Sequence, residues 1–261
     1  MTRIHFSFEC LGSRLVGTLD EGWSTTGLLL VTGGNELRSG AWSGQAQLAA
    51  RIAGEGFSVF RFDRRGTGDS EGTNGEFRAS GEDITAALKA FRARCPELTR
   101  IVGLGNCDAA TALMLAGGAG FDALVLSNPW TFDDDAGDDA TPPEALRAHY
   151  RRRLADPAAI KRLLTGQVSP RKLFGSLAAA LRPAPAPAPG TLTQQMAAGI
   201  DAFTGPVVFL IADRDRTAQA FLSVWPKDDA RVRTCEAATH SFVEAHARDW
   251  LTQQVLDVLR A

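Results

Sequence analysis

Short apolar runs alternate with helical patterns along most of this chain, and this alternation constrains the fold more than any other feature of the sequence. Strands are predicted at residues 27–32, 58–62, 101–104, 123–127, 207–212 and 232–235. Helices are predicted at residues 45–54, 81–94, 107–116, 217–222 and 242–259. Strands that alternate with helices form a mostly parallel sheet with crossover helices on its faces. The sequence therefore predicts an α/β fold.

Two segments depart from this alternation. Residues 5–9 and 14–18 predict an antiparallel hairpin that precedes the parallel strands. Between residues 130 and 203 there is no convincing strand, and helical patterns lie near residues 142–155, 157–164 and 171–181. Proline alternates with alanine at the end of that stretch, which favours an extended spacer. We expect a core of residues 1–129 and 204–261, and a helical cap of residues 130–203 with a Pro/Ala-rich strap at 183–190.

Composition narrows the class of protein. The 261 residues carry a formal net charge of only −2, so the chain lacks the basic field that nucleic acid requires. No stretch approaches the roughly 20 apolar residues of a membrane span, and no secretory signal is evident at the N-terminus. The four cysteines have no C-x-x-C spacing, which argues against zinc or a disulfide framework and favours the reducing cytoplasm.

No metal or other cofactor is expected. An acidic run at residues 133–139 allows a cation site, although a solvated loop is the simpler interpretation. The loop at residues 62–70 contains G-x-G without the full dinucleotide spacing, so we interpret it as a structural loop beneath the site.

The strand predicted at residues 101–104 runs into Gly105, Asn106, Cys107, Asp108 and Ala109. This G-x-C-x-A pattern is typical of a strand-to-helix turn that carries a nucleophile, where small residues avoid clashes on a sharp turn. A thiol at a helix N-terminus is stabilised as thiolate by the helix dipole. The alternative is that Cys107 is one more inert thiol in a glycine-rich turn.

An acid and a histidine follow later strands in the order that such a nucleophile requires. His240 comes after the strand predicted at 232–235, and both Asp213 and Asp215 come after the strand at 207–212. The histidine would accept the thiol proton, and the acid would fix its tautomer. We favour Asp215, because its greater offset from the strand gives the loop room to reach His240. His149, in the predicted cap, is the only alternative or auxiliary histidine.

Backbone amides near the predicted nucleophile should stabilise a negatively charged intermediate. We expect one amide from Asp108 and a second from Gly34 or Asn35, in the glycine turn after the first parallel strand. The substrate would lie between the sheet edge and the cap. Candidate lining residues, each of which could equally belong to the core, are Trp42, Trp130, Phe132, His149, Tyr150 and Phe174.

These motifs resemble the α/β-hydrolase superfamily over nearly the whole chain, since R-F-D-R-R-G-T-G-D-S-E-G at residues 61–72 looks like its post-strand loop. More closely, the chain resembles the exosortase A system-associated hydrolase 1 family in V-T-G-G-N at 31–35, G-N-C-D-A-A at 105–110 and D-R-T-A at 215–218. The resemblance implies triad roles for Cys107, Asp215 and His240, and a bacterial setting linked to envelope or exopolysaccharide gene clusters. Asn35 and Arg216 depart from the family pattern.

The sequence thus leads us to expect a metal-free thioesterase or esterase that works through an acyl-cysteine intermediate on a small-molecule or carrier-bound acyl substrate. A cysteine nucleophile favours thioesters, because exchange between thiolates is nearly isoenergetic. Cysteine at this turn also resembles dienelactone hydrolases and polyester synthases, so acyl transfer to a sugar or amine is an alternative. A binding protein of the same fold that has lost the chemistry is another.

Overall fold

The computed structural model describes residues 2–132 and 191–261, and within these ranges eight strands form one sheet. Their order across the sheet is β1-β2-β4-β3-β5-β6-β7-β8. The strands are β1 (Arg3–Cys10), β2 (Ser13–Asp20), β3 (Thr26–Val31), β4 (Ser58–Phe62), β5 (Arg100–Asn106), β6 (Ala123–Ser127), β7 (Val207–Ala212) and β8 (Val232–Cys235).

Six α-helices connect or flank these strands in the described ranges. They are α1 (Gly44–Gly54), α2 (Gly81–Arg94), α3 (Asp108–Leu115), α4 (Leu192–Ala202), α5 (Arg216–Val224) and α6 (Ala245–Arg260). None of the helices in the part of the chain that the structure describes is long and apolar enough to cross a membrane.

The sheet is antiparallel at one edge and parallel elsewhere. β2 pairs antiparallel with both β1 and β4, whereas every pair from β4 through β8 is parallel. The carboxyl ends of β3, β5, β6, β7 and β8 therefore meet at one edge of the sheet. In an open α/β sheet, that edge is where ligands bind.

Alternate residues of the central strands supply two separate cores. On one face Leu29, Phe60 and Phe209 pack in the cluster that α2, α3, α4 and α5 cover. On the other face Leu28 and Leu210 pack under α1 and α6. Burial on both faces explains why the central strands read as continuous apolar runs rather than as alternating patterns.

The predicted α/β fold is confirmed, and each predicted strand and core helix is present within a few residues of its expected bounds. One helix was not anticipated: α4, at the end of the predicted cap, buries Leu192, Met196 and Ile200 in the main core. Its apolar spacing of four residues was a usable signal. Residues 133–190 of the predicted cap, which include the strap, lie outside the described residues.

Candidate active site

Cys107 occupies a sharp turn between β5 and α3. Its backbone angles, φ 61° and ψ −129°, lie in a region that residues other than glycine rarely adopt and that costs about 1–3 kcal/mol. A side chain at Gly105 would place its Cβ 2.7 Å from the backbone of Ala109 and Ala110, so the turn requires glycine there. Such strain persists only where the surroundings impose it, and it concentrates at functional sites.

The other three cysteines differ from Cys107 in their surroundings. Cys10, Cys95 and Cys235 are buried, whereas Cys107 is partly exposed. Burial is the main cause that raises the pKa of Cys10 and of Cys95 to about 11, and it raises the pKa of Cys235 as well. Since the thiolate is the reactive form, these three thiols are poor nucleophiles near neutral pH.

Asp215 caps the N-terminus of helix α5 and is hydrogen-bonded to His240. Its carboxylate accepts hydrogen bonds from the backbone N–H groups of Thr217 and Ala218, at 3.2 and 3.1 Å. The same carboxylate lies 2.8 Å from Nδ1 of His240. The Asp215 side chain is 7% exposed, so water competes little for its hydrogen bonds. Aspartate at this position is both the helix cap and the partner of the histidine.

The surroundings of His240 favour its protonated form. Burial lowers its pKa, but the hydrogen bonds to Asp215 and to the sulfur of Cys107, together with the charges of both groups, raise the pKa to about 10. Nδ1 faces Asp215, whereas Nε2 lies 3.4 Å from the side-chain nitrogen of Asn106 and is the ring atom available to the sulfur. A protonated imidazole there stabilises negative charge on the sulfur, as in a thiolate–imidazolium pair.

Two asparagines fix the loop that carries His240, and sequence reasoning did not single them out. Asn128 is fully buried, and its side-chain N–H₂ donates to the carbonyl of His240 at 3.0 Å and to Oδ1 of Asn106 at 3.1 Å. Its Oδ1 accepts from the N–H of Ala212 at 2.8 Å. Asn128 thus ties β5, β7 and the histidine loop together. Its place directly after β6, at the carboxyl edge of the sheet, was a usable signal.

The predicted oxyanion amides lie on the other side of Cys107. Asp108 is the first residue of α3, so its N–H is among those that a helix leaves without an intrahelical partner. The N–H of Gly34 donates to both carboxylate oxygens of Asp108, at 2.7 and 2.8 Å. Oδ1 of Asn35 accepts from the side chain of Asn74 at 2.7 Å. The sequence indicated the backbone of these residues but not the role of the Asp108 carboxylate.

Cys107 and His240 open into a cleft of about 720 Å³. Its described lining consists of Gly33, Gly34, Asn35, Glu36, Asn74, Glu76, Phe77, Asn106, Cys107, Asp108, Trp130 and His240. The proposed nucleophile, base and oxyanion amides therefore share one solvent-accessible space. Among the described residues, no group of three or more His, Cys, Asp or Glu side chains is arranged to hold a metal ion.

The model of the alpha/beta hydrolase family matches residues 28–254, which is most of the chain and includes every element that builds the cleft. The chain belongs to the alpha/beta hydrolase family. A search of curated protein sequences found no match to it.

Several solved structures resemble this chain over nearly its whole length. An esterase of Pyrococcus furiosus is 16% identical with a TM-score of 0.63, and the match covers 99% of this chain and 90% of that one. The alpha/beta hydrolase GrgF of Penicillium sp. sh18 is 16% identical with a TM-score of 0.65, covering 100% and 98%. The thioesterase domain from the curacin biosynthetic pathway is 15% identical with a TM-score of 0.55, covering 98% and 100%. At these identities the likeness concerns the fold.

The predicted substrate residues of this α/β hydrolase are only partly brought together. Trp130 lines the cleft beside Cys107, and its ring packs against Phe132 at 4.6 Å between centroids. Trp42 instead lines a separate cavity of about 80 Å³, which shares Glu36 and Asn106 with the cleft. The structure therefore does not bring Trp42 to the cleft of Cys107. The other candidates, His149, Tyr150 and Phe174, lie outside the described residues.

Glu36 is an acid of the site that sequence reasoning missed. It lines both the cleft and the separate cavity. Burial is the main cause that raises its pKa, and the charge of Asp108 raises it further, while the charge of His240 lowers it. Its position two residues after the glycine turn of the site was a usable signal.

Proposed function

We propose that this α/β hydrolase is a cysteine-dependent acyl hydrolase that cleaves thioesters or activated esters through an acyl-cysteine intermediate. The observation that carries the proposal is that the partly exposed Cys107 and His240 line the same cleft, with Nδ1 of His240 2.8 Å from the carboxylate of Asp215. A nucleophile, a base and an orienting acid in mutual contact are the arrangement that covalent acyl transfer requires.

In the proposed reaction, the Cys107 sulfur attacks the acyl carbonyl while His240 carries the proton. The negative charge that develops on the carbonyl oxygen would be accepted by backbone amides of Asp108 and of Gly34 or Asn35. His240 then protonates the leaving thiol or alcohol, since a pKa of about 10 keeps the ring protonated at neutral pH. In the second half, His240 takes a proton from water, which attacks the acyl-cysteine and releases the acid.

A cysteine nucleophile favours thioesters as the class of substrate. Transfer of an acyl group from one thiolate to another is nearly isoenergetic, whereas transfer from an oxygen ester to a thiol is uphill. The structural resemblance to a protein described as a thioesterase domain supports the same class of substrate. The resemblance to a protein described as an esterase supports activated esters as alternative substrates.

The setting is part of the proposal. The motifs that resemble the exosortase A system-associated hydrolase 1 family favour a cytoplasmic role in exopolysaccharide-related metabolism, on a small or carrier-bound acyl substrate. We further propose that residues 130–203 include a cap over the cleft, because this stretch begins at Trp130, which lines the cleft.

The test is acyl release from a panel of thioesters and p-nitrophenyl esters, combined with mass spectrometry of the trapped protein. We expect turnover in the wild type, with an acyl mass on the Cys107 peptide, and neither turnover nor adduct in Cys107→Ala. Cys95→Ala is the matched control, because Cys95 is also buried, lies at the end of α2 and does not line the cleft, so this variant should retain activity. No release and no labelling of Cys107 across the whole panel would refute the proposal. Product analysis with sugar and amine acceptors separates hydrolysis from acyl transfer.

A further inference from the structure

The carboxylate of Asp108 covers one of the amides that the proposed reaction needs. Its oxygens lie 2.7 and 2.8 Å from the nitrogen of Gly34. A functional oxyanion amide is expected 2.7–3.1 Å from the oxygen that becomes charged. An internal anion therefore occupies the position in which the transient anion of the reaction would be stabilised.

A second partner for the Asp108 carboxylate lies beside the first. Nη2 of Arg64 is 3.4 Å from Oδ2 of Asp108, which is longer than the 2.7–2.9 Å of a close charge-assisted hydrogen bond. Arg64 is only 1% exposed, and it is fixed by Ser80 Oγ at 2.7 Å and by the carbonyl of Gly34. Its Nε is buried without a hydrogen-bond partner in the part of the chain that the structure describes. The guanidinium therefore has donor capacity for a closer contact with Asp108.

These contacts give the carboxylate two places to bind. In the observed one it accepts from the Gly34 amide, and in the other it would close onto Arg64 and leave that amide open. Arg64 stays close to the Asp108 carboxylate in both places, so the move never leaves a buried carboxylate without a charged partner. Two anions cannot share one amide, so the charge that develops on the substrate oxygen would favour the second place.

We infer that Asp108 is a positioning residue with two states: it fills the oxyanion position at Gly34 at rest, and it moves onto Arg64 when the substrate carbonyl enters. This inference rests on the proposed function for its catalytic meaning. In the resting state the carboxylate excludes other anions, including the acid product, from the amide of Gly34.

The inference is tested by anion binding at Gly34 without turnover. Butyrate is titrated into ¹⁵N-labelled wild type, Asp108→Asn and Asp108→Ala, and the Gly34 amide signal is followed by NMR. We expect the dissociation constant to fall at least tenfold in Asp108→Ala, which empties the position, and to fall less in Asp108→Asn, which leaves a neutral acceptor there. Asp83→Asn is the matched control, because Asp83 is also a buried carboxylate and accepts a hydrogen bond from the backbone N–H of Arg65, and neither residue lines the cleft. It should bind butyrate as the wild type does.

A purely structural role for Asp108 would lower stability in both variants without tightening butyrate binding, and that result would overturn the inference. If the variants do not fold, the wild type is crystallised with an acyl trifluoromethyl ketone, which forms a tetrahedral adduct with a reactive thiol. Asp108 should then have left Gly34 and shortened its distance to Arg64, and an unmoved carboxylate in the adduct would overturn the inference. Tight butyrate binding in Asp108→Ala together with an unreactive Cys107 would refute the proposed hydrolase and leave the inference standing.

Discussion

The two sides of Cys107 differ in how completely they are assembled. On the histidine side, Asp215 is held by the first amides of α5 and is bonded to His240. On the oxyanion side, the amide of Gly34 is bonded to the carboxylate of Asp108 instead of being open to a substrate. For the proposed reaction, this difference implies that His240 is already positioned at rest, whereas the amide of Gly34 has to be released from Asp108 before it can bind a substrate oxygen.

The difference has a structural cause. The bonds of Asp215 to Thr217 and Ala218 span two and three residues, so a single helix start creates them. The bond between Gly34 and Asp108 spans 74 residues and joins two loops that follow different strands. A contact between two separate loops is easier to exchange for another than a cap within one helical turn.

We expect the largest effect from removal of the proposed nucleophile, because neither the histidine side nor the oxyanion side can act without it. Cys107→Ala should lower kcat for thioester hydrolysis by about 10⁵-fold or more, because no covalent intermediate can form. Steady-state turnover of a short acyl thioester measures the loss. Activity close to the wild-type level would show that the chemistry does not pass through this sulfur.

Asp215→Asn disrupts only the histidine side of Cys107, because it changes the partner of His240. An amide cannot hold the imidazole in the required tautomer or stabilise its charge, so kcat should fall by about a thousandfold. The control is Asp213→Asn, which changes the other acid after β7 and should leave kcat within about threefold if Asp215 alone orients His240. A larger loss in the Asp213 variant would reverse the assignment of the acid.

Gly105→Ala tests whether the turn between β5 and α3, which carries Cys107, requires glycine. The added Cβ would lie 2.7 Å from the backbone of α3, so the turn has to shift. We expect a loss of about 1–3 kcal/mol in the free energy of unfolding, as for other overpacked sites, together with reduced kcat. Gly54→Ala is the control, because nothing lies within 4 Å of its added Cβ. Equal stability of the two variants in urea titrations would show that the turn tolerates a side chain.

The charge on His240 should have a smaller effect, which is a dependence of the free energy of unfolding on pH. Its pKa of about 10 lies above the value of about 6.5 expected in the unfolded chain, so the folded state binds this proton more tightly. The resulting stabilisation is complete below pH 6.5 and is lost as the pH rises towards 10. The difference in unfolding free energy between the wild type and His240→Ala should therefore shrink over that range. A constant difference from pH 6 to pH 10 would contradict the raised pKa.

The sequence predicted those parts of the site that follow from chain order. β5, the turn at Cys107, and the positions of Asp215 and His240 after β7 and β8 all follow from apolar runs and the polar residues that end them. The partners of Asn128 and the carboxylate contact of Asp108 depend on which loops meet in space, which no local pattern specifies. Helix α4 was missed because its apolar residues lie within a stretch that reads as an insertion.

The proposed function depends on activation of Cys107 by His240, and the rate at which iodoacetamide alkylates Cys107 is its most direct test. The rate is followed by peptide mass spectrometry from pH 6 to pH 9, with the buried Cys10, Cys95 and Cys235 as internal references. In the wild type we expect labelling at pH 7 that is faster than in His240→Ala by about tenfold or more, because protonated His240 stabilises negative charge on the sulfur. In His240→Ala, labelling should be slow and should rise about tenfold per pH unit below pH 8, as for an unassisted thiol. Equal, slow and steeply pH-dependent labelling in both proteins would contradict the claim.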